Sequence, residues 1–297
     1  MSLRIGVDLG GTKTEAVALG ADGGERARVR LATPRSYEAC LETIATLVSR
    51  VEHEAGGRGT VGVGIPGAIS PVSGFVKNAN SRWLIGRALG DDLARRLERP
   101  VRVMNDANCF ALSEAVDGAG AGAHSVFGVI IGTGVGGGIV LGGSIVQGAQ
   151  LIAGEWGHNP LPWPADEERP GPACYCGKRG CIETFLSGPG LEADHMRVTG
   201  QRATAADIGA AGAAGDAGAT ATLTRYVDRL ARGLATVVNI LDPDVIVLGG
   251  GVSNLPDLAR AVSAALPAHV FTDELTTSVA RNLHGDSSGV RGAAWLW

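Results

Sequence analysis

Aromatic residues make up only 4% of this 297-residue chain. No apolar run reaches the roughly 18 residues that a membrane-spanning helix needs. Cores must therefore be built from aliphatic side chains, and no membrane partner is expected. A basic excess is also missing. Lys and Arg total 26 against 30 Asp and Glu, a net charge of −4, which argues against a nucleic-acid surface. The opening MSLRIGVDLGG lacks the basic start and apolar core of an export signal. Cysteine is odd in number, at five, and no C-x-x-C pair occurs. These features lead us to expect a reduced, cytoplasmic protein without a disulfide framework.

Glycine is abundant instead, with 46 residues, and hydrophobic residues reach 45%. The second figure suffices for real cores. The first calls for tight turns or close backbone approach to a ligand. LRIGVD (3–8) reads as a buried strand, followed by a turn at Gly10–Gly11 and a second strand, TEAVAL. Residues 26–31 read as a third strand. A helix follows Thr33-Pro34, with Leu41, Ile44, Val48 and Val51 on one face. VGVGI is a strand ended by Pro66-Gly67, DDLARRLE a short helix, VRVMN a strand and DANCFALSEAV a helix.

The pattern then restarts. VFGVII, a turn at Gly132–Gly134 and GGIVLGG repeat the strand–turn–strand opening. A long helix from about Thr220 to Leu241 places Leu223, Val227, Leu230, Leu234, Val237 and Leu241 on one face. DVIVL is a buried strand ending at Gly249, Gly250 and Gly251, and residues 287–296 read as a closing helix. The fold class expected is α/β, two related domains with a cleft between them. The first covers 1–117 and is completed by the C-terminal helix of about 285–297; the second covers 118–284.

A glycine turn after a strand lets backbone N–H groups reach phosphate oxygens. DLGGTKT and GTGVGGG both fit. Neither is a Walker A loop, since Lys13 follows Thr12 rather than glycine. Gly132, Gly134 and Gly137 do satisfy G-x-G-x-x-G, but a dinucleotide site needs a helix next and GGIVLGG is strand-like. Asp8, at a strand end beside the first turn, reads either as a turn cap or as a carboxylate holding Mg2+ through water. The pair of turns resembles the phosphate hairpins of the actin, sugar kinase and Hsp70 superfamily. On that resemblance Gly249, Gly250 and Gly251 would line the nucleoside pocket.

Asn105-Asp106 falls where a strand hands over to a helix. Helix capping alone would explain Asp106; it could equally be the general base for a sugar hydroxyl. In GEWGHNPLPW, His158 is separated from Cys174 by 15 residues, and Cys174, Cys176 and Cys181 form C-x-C-x4-C. Three thiolates and one imidazole are a typical Cys3His set for structural Zn2+. A Cys176–Cys181 disulfide would strand Cys174 and conflict with the compartment. Cys40 and Cys109 fall in helices and read as buried packing residues.

Taken together, DLGGTKT, GIPG, NDANC, IGTGVGGG, GEWGHNPLP, CYCGKRGCIE, LDPDVIVLGGG and HGDSSGVRGAAWL resemble the ROK family of bacterial sugar kinases and repressors from end to end. SPVSGFVKNANSRWL and GEWGHNPLPW look most like the fructokinases of manno(fructo)kinase type. N-acetylglucosamine kinases share the frame, and glucokinases more often carry histidine where Glu155 stands. The resemblance implies two actin-like (ribonuclease H-like) domains, ATP and Mg2+ as cofactors, structural Zn2+ and a homodimer. Asp106 would be the catalytic base, with Asn105 beside it on the sugar. Glu155, His158 and Glu183 would bind sugar hydroxyls, with Asn80 and Gly67 nearby. Asp8, Gly10, Gly11, Thr12 and Lys13, together with Gly132, Thr133 and Gly134, would meet the ATP phosphates and Mg2+. His158, Cys174, Cys176 and Cys181 would bind zinc in a knuckle spanning 158–183. Zinc on one ring nitrogen of His158 would leave the other free for a sugar hydroxyl.

The expectation is an ATP-dependent hexose kinase acting on the 6-hydroxyl of fructose, with mannose as a second acceptor. An N-acetylglucosamine kinase or glucokinase is the alternative. A sugar-responsive repressor is remote: such proteins carry a winged-helix segment before the DxGGT strand, which here starts at residue 3. A zinc-ribbon partner module would leave Asp8, Asp106 and the paired turns unexplained.

Overall fold

Alternating aliphatic residues and glycine turns produce two mixed sheets in the computed structural model, which describes residues 3–79 and 81–297. In the first sheet, β1 (Leu3–Leu9) pairs antiparallel with β2 (Lys13–Leu19), and β2 with β3 (Glu25–Ala32). Helix α1 (Tyr37–Ala55) leads to β4 (Gly59–Ile65), which lies parallel to β1. The short β5 (Ala68–Ile69) and β6 (Val76–Lys77) form a hairpin. Helix α2 (Leu89–Leu97) precedes β7 (Val101–Asn105), parallel to β4, and α3 (Asp106–Asp117) follows directly. The order is β3-β2-β1-β4-β7. The α1 face Leu41, Ile44, Val48 and Val51 is buried against Ile5, Val7, Val61 and Val63. Cys40 and Cys109 are buried packing residues in α1 and α3.

The second sheet has the order β10-β9-β8-β11-β12. Its strands are β8 (Ser125–Ile131), β9 (Val135–Leu141), β10 (Ser144–Ile145), β11 (Val245–Gly249) and β12 (Ser278–Arg281). Between β10 and β11 come α4 (Ile182–Leu186), α5 (Gly188–Thr199), α6 (Ala205–Ala213) and α7 (Ala217–Leu241). Helices α8 (Leu258–Ala265) and α9 (Ser288–Ala294) complete the chain. The chain divides into two compact units. The first holds the stretches up to Gly122, Gly138–Ala153 and Asp286–Trp297; the second holds Ala123–Gly137 and Gly154–Gly285. Among the described residues, no helix is long and apolar enough to cross a membrane.

Two local findings adjust the sequence reading. The Ala/Gly-rich stretch 203–221, whose sequence says little beyond weak helix or loop, is helical, as α6 and the start of α7, with Thr204 capping α6. On α7, Leu230 and Leu234 are buried, but Leu223, Val227, Val237 and Leu241 are only partly covered. The buried face is rotated toward Tyr226, Arg229 and Arg232. Hydropathy could not show this, because those two arginines are buried through ion pairs to Glu168 at 2.7 and 2.9 Å. Buried charge of this kind survives only when paired.

In the first unit α9 lies directly on the sheet. A Cβ on Gly62 would fall 1.9 Å from the Ala293 carbonyl oxygen, so only glycine allows that approach. This brings the last helix of the chain beside Asp8: a Cβ on Gly289 would lie 3.6 Å from its Oδ2.

Candidate functional site

In the first unit, the parallel strands β1, β4 and β7 end side by side, with Asp8 opposite Gly64 and Ile65 opposite Asn105. Ligands in open α/β sheets bind outside such carboxyl ends. Asp8, Gly67, Asn105 and Asp106 therefore stand along one sheet edge. Asn105, not Asp106, caps α3: its Oδ1 accepts from the N–H of Ala107 at 2.9 Å and of Asn108 at 3.2 Å. Its Nδ2 donates to the Gly67 carbonyl at 3.1 Å. Asp106 is the first helical residue, and its Oδ1 accepts from the Ala107 N–H at 2.8 Å. Asn80 lies outside the described residues.

The turn between β1 and β2 is closed by the Gly10 N–H on the Lys13 carbonyl at 3.1 Å. Thr33 takes up two more of its carbonyls, with Oγ1 donating to Gly10 O at 2.8 Å and N–H to Thr12 O at 3.0 Å. With the carbonyls of Gly10, Thr12 and Lys13 engaged, the turn has amides to offer an anion, alongside Lys13. Lys13 Nζ lies 3.8 Å from Asp286 at the surface. Asp8 is pushed up to about 7, first by burial, then by the carboxylates of Asp106 and Glu15, against the pull of Lys13 and Arg30. A carboxyl held half-protonated at neutral pH among acidic neighbours fits a place for a divalent cation, which would restore its ionisation.

Glu15 was missed by the sequence reading. It is only 2% exposed and pairs with Arg28 at 2.6 Å and Arg30 at 2.9 Å. A signal existed: it is the one charged residue in the strand TEAVAL, opposite Asp8 in the hairpin register.

In the second unit, the Gly132–Gly134 turn and the turn of Gly249, Gly250 and Gly251 follow neighbouring parallel strands, with Gly249 opposite Ile130. The three glycines of the latter turn divide by role. Gly249 is the last residue of β11, Gly250 turns the chain, and Gly251 opens a short 3-10 turn to Asn254. Gly250 has φ +83°, and a Cβ on it would lie 2.4 Å from the Ile131 carbonyl oxygen. That position therefore demands glycine twice, for its backbone angle and for its close approach to the end of β8. Its carbonyl accepts from the Ser253 N–H at 3.1 Å and hydroxyl at 2.7 Å. The sequence expectation gave Gly250 to the nucleoside; its evident work here is to turn the chain against β8. A Cβ on Gly251, by contrast, would meet nothing within 4 Å, so the open side of this turn is at Gly251.

A strand, β9, follows the Gly132–Gly134 turn, as a phosphate hairpin requires and a dinucleotide fold does not. The Gly132 N–H donates to Gly134 O at 2.9 Å, and the Gly188 N–H donates to Gly132 O at 2.8 Å. Glu183 lies on this turn: its Oε2 accepts from the Val135 N–H at 2.9 Å.

Glu155 is exposed and begins the short turn Trp156–His158. Trp156 anchors that turn by donating from Nε1 to Gly136 O at 3.0 Å and packing edge-on to Phe127 at 5.8 Å. Beyond it His158, Cys174, Cys176 and Cys181 present ligand atoms all within 4.8 Å of one another. Cys174 Sγ is 3.6 Å from His158 Nδ1, and Cys176 Sγ is 3.6 Å from Cys181 Sγ. A tetrahedral zinc with Zn–S of about 2.3 Å and Zn–N of about 2.0 Å has ligand–ligand edges of roughly 3.5–3.8 Å. The donor set and its spacing fit that ion. Without a cation, burial and the neighbouring thiols of Cys176 and Cys174 push Cys181 up to about 12, so three thiolates need the positive charge a metal brings. The knuckle folds through Cys174 N–H to Lys178 O at 2.8 Å and Leu161 N–H to Gly180 O at 2.9 Å.

One partner was not foreseen. The other ring nitrogen of His158, Nε2, lies 3.0 Å from the Tyr175 hydroxyl, with the two rings edge to face at 5.1 Å. The sequence had left this nitrogen for a sugar. The only signal was an aromatic residue between two metal-ligand cysteines. Glu183 and Glu155 both act on Tyr175, whose hydroxyl is pushed up to about 12, by burial first and then by these carboxylates and Cys174 and Cys176. Within the second unit, Tyr175 therefore stands near Glu155, His158 and Glu183.

Comparison with known proteins agrees with this geometry. Residues 4–297 match the ROK family. The N-acetyl-D-glucosamine kinase of Shigella boydii serotype 4 is 42% identical over 299 residues, covering 98% of both chains. The crystal structure of a ROK hexokinase from Thermus thermophilus superposes with a TM-score of 0.87 at 33% identity, covering 98% of this chain and 96% of that one. A ROK glucokinase from Streptomyces griseus, solved with glucose and AMPPNP, gives 0.81 at 28% identity, covering 99% of each. The fold is the actin-like ATPase fold of these enzymes. The chain belongs to the ROK family, as a sugar kinase.

Proposed function

We propose that this protein is an ATP-dependent N-acetylglucosamine kinase that phosphorylates the 6-hydroxyl of the sugar. The observation that carries the substrate is the 42% identity, over nearly the whole length, to a curated N-acetyl-D-glucosamine kinase. The segments SPVSGFVKNANSRWL and GEWGHNPLPW point to fructose; full-length relatedness outweighs two segments, and fructose becomes the competing outcome.

Phosphoryl transfer asks a protein mainly for positioning, charge neutralisation and one base. Asp106 is that base: it takes the proton of the 6-hydroxyl as the oxygen attacks the γ-phosphorus and ADP leaves. Asn105 supports the role by taking over the helix cap. Asn105 itself contacts the sugar, with Gly67 nearby, and Asn80 is given a sugar role on the family resemblance alone. Glu155, His158 and Glu183 recognise sugar hydroxyls. The turn at Gly10–Lys13 and the turn at Gly132–Gly134 offer amides to the phosphates. Gly249, Gly250 and Gly251 line the nucleoside pocket, Gly250 by shaping the turn and Gly251 by leaving its face open. Asp8 would hold Mg2+, which supplies neutralisation of phosphate charge when bound. His158, Cys174, Cys176 and Cys181 hold a structural Zn2+.

A coupled ADP-release assay across N-acetylglucosamine, fructose, mannose and glucose tests the reading. N-acetylglucosamine should show the highest kcat/KM. A higher value for fructose returns the assignment to a fructokinase, and no turnover with any of the four removes the kinase reading.

A further inference from the structure

We propose that Glu183 is a positioning residue for the donor-phosphate turn, and that through it the metal knuckle sets the geometry of that turn. The inference rests on the kinase reading above and deepens it. The strand start that follows the turn is gripped from both arms of the metal-ligand set. On the histidine arm, Trp156 donates to Gly136 O at 3.0 Å, and Gly157 packs so closely that a Cβ on it would lie 2.2 Å from Val135 O. On the cysteine arm, Cys181 is the N-cap of α4, and Glu183, two residues on, accepts from the Val135 N–H at 2.9 Å. Five residues later the Gly188 N–H holds the Gly132 carbonyl at 2.8 Å.

The consequence is chemical. Gly132 N–H is committed to Gly134 O and Val135 N–H to Glu183, so the turn presents Thr133 and Gly134 amides to the phosphate. The Glu183 carboxylate also fills the space beside Gly134, where a Cβ would lie 2.7 Å from its Oε2. Gly134 does not occupy the left-handed region, and the protein atoms that a Cβ there would meet belong to Glu183, so alanine there pushes Glu183 aside. A charged group placed this way would organise the turn before ATP arrives, and preorganised amides are worth most where charge gathers.

The experiment uses the full-length zinc-loaded protein and three variants: Glu183→Ala, Glu183→Gln and Gly134→Ala. Zinc content by atomic emission should stay at one per chain in all three, because no ligand is touched. Glu183→Ala should raise the KM for ATP on the order of tenfold, as expected for losing one charge-assisted hydrogen bond. Glu183→Gln keeps an acceptor for Val135 N–H and should recover part of that loss. Gly134→Ala should match Glu183→Ala, and the double variant should be no worse than either, since both break the same contact. Hydrogen exchange needs no turnover. The peptide holding 132–135 should exchange faster in Glu183→Ala, and in wild type after zinc is removed by a chelator. Unchanged ATP KM and unchanged exchange in Glu183→Ala would overturn the proposal, as would full additivity in the double variant. Absence of any sugar phosphorylation by wild type would instead strike the kinase reading, and the exchange result would still be read.

Discussion

His158 is held at both ring nitrogens: Nδ1 faces Cys174 Sγ at 3.6 Å and Nε2 meets the Tyr175 hydroxyl at 3.0 Å. With a metal on Nδ1, the proton of the neutral ring sits on Nε2 and is donated to Tyr175. A sugar hydroxyl that uses this N–H must compete with the phenol. Tyr175→Phe should therefore keep its zinc and lower the sugar KM by about two- to fivefold, the size of one modest hydrogen bond. Steady-state kinetics decide it. A raised KM would mean instead that the phenol itself holds the sugar.

Asp106→Asn removes the proposed base while Asn105 keeps its cap on α3. The variant should fold with unchanged melting temperature, bind sugar and retain zinc. Its kcat should fall by about 10²–10⁴-fold, the usual worth of a positioned base. Near-normal turnover would sink the role given to Asp106.

Removing the metal should not behave like removing a catalytic ion. Cys176→Ser, or chelation, should raise the KM for sugar and for ATP together and lower the melting temperature of the second unit. Loss of kcat with both KM values unchanged would contradict a structural role.

Asp8 gives a pH prediction in the absence of added Mg2+ and nucleotide. Its folded pKa is raised to about 7 from an ordinary value of 3.8. A raised carboxyl pKa contributes stability that is full below about pH 4 and is lost as pH rises through about 7. Thermal melts should thus fall over that window, and Asp8→Asn should flatten the fall and melt higher than wild type at pH 8. Added Mg2+ should raise the wild type at pH 8 more than the variant. Parallel melting curves would refute this.

Much of the fold was legible because its determinants are local. The β1–β2 and β8–β9 hairpins announce themselves by aliphatic strands broken at glycine, and α1 by Leu41, Ile44, Val48 and Val51 at helical spacing. The Cys3His set was legible because metal ligands leave a spacing pattern. What failed to show was long-range. The buried face of α7 turns on Arg229 and Arg232 meeting Glu168, more than 60 positions away in sequence. Asn105 caps α3 through its side-chain oxygen, and its amide also reaches Gly67 O, 38 positions earlier, a contact the sequence does not announce. Three adjacent glycines look alike in sequence, and the left-handed backbone angle together with the approach of Ile131 O singles out Gly250. Glu183 read as a sugar ligand from its motif, and nothing in the sequence linked it to Val135, 48 positions earlier.

The central claim is that this chain moves the γ-phosphate of ATP to the 6-hydroxyl of N-acetylglucosamine. Correlated phosphorus–proton NMR of the product tests it most directly. The expected product is one phosphomonoester coupled to the two protons on C6, formed in step with ADP and lost in Asp106→Asn. A phosphate on another carbon, or ADP release without any sugar ester, would contradict it.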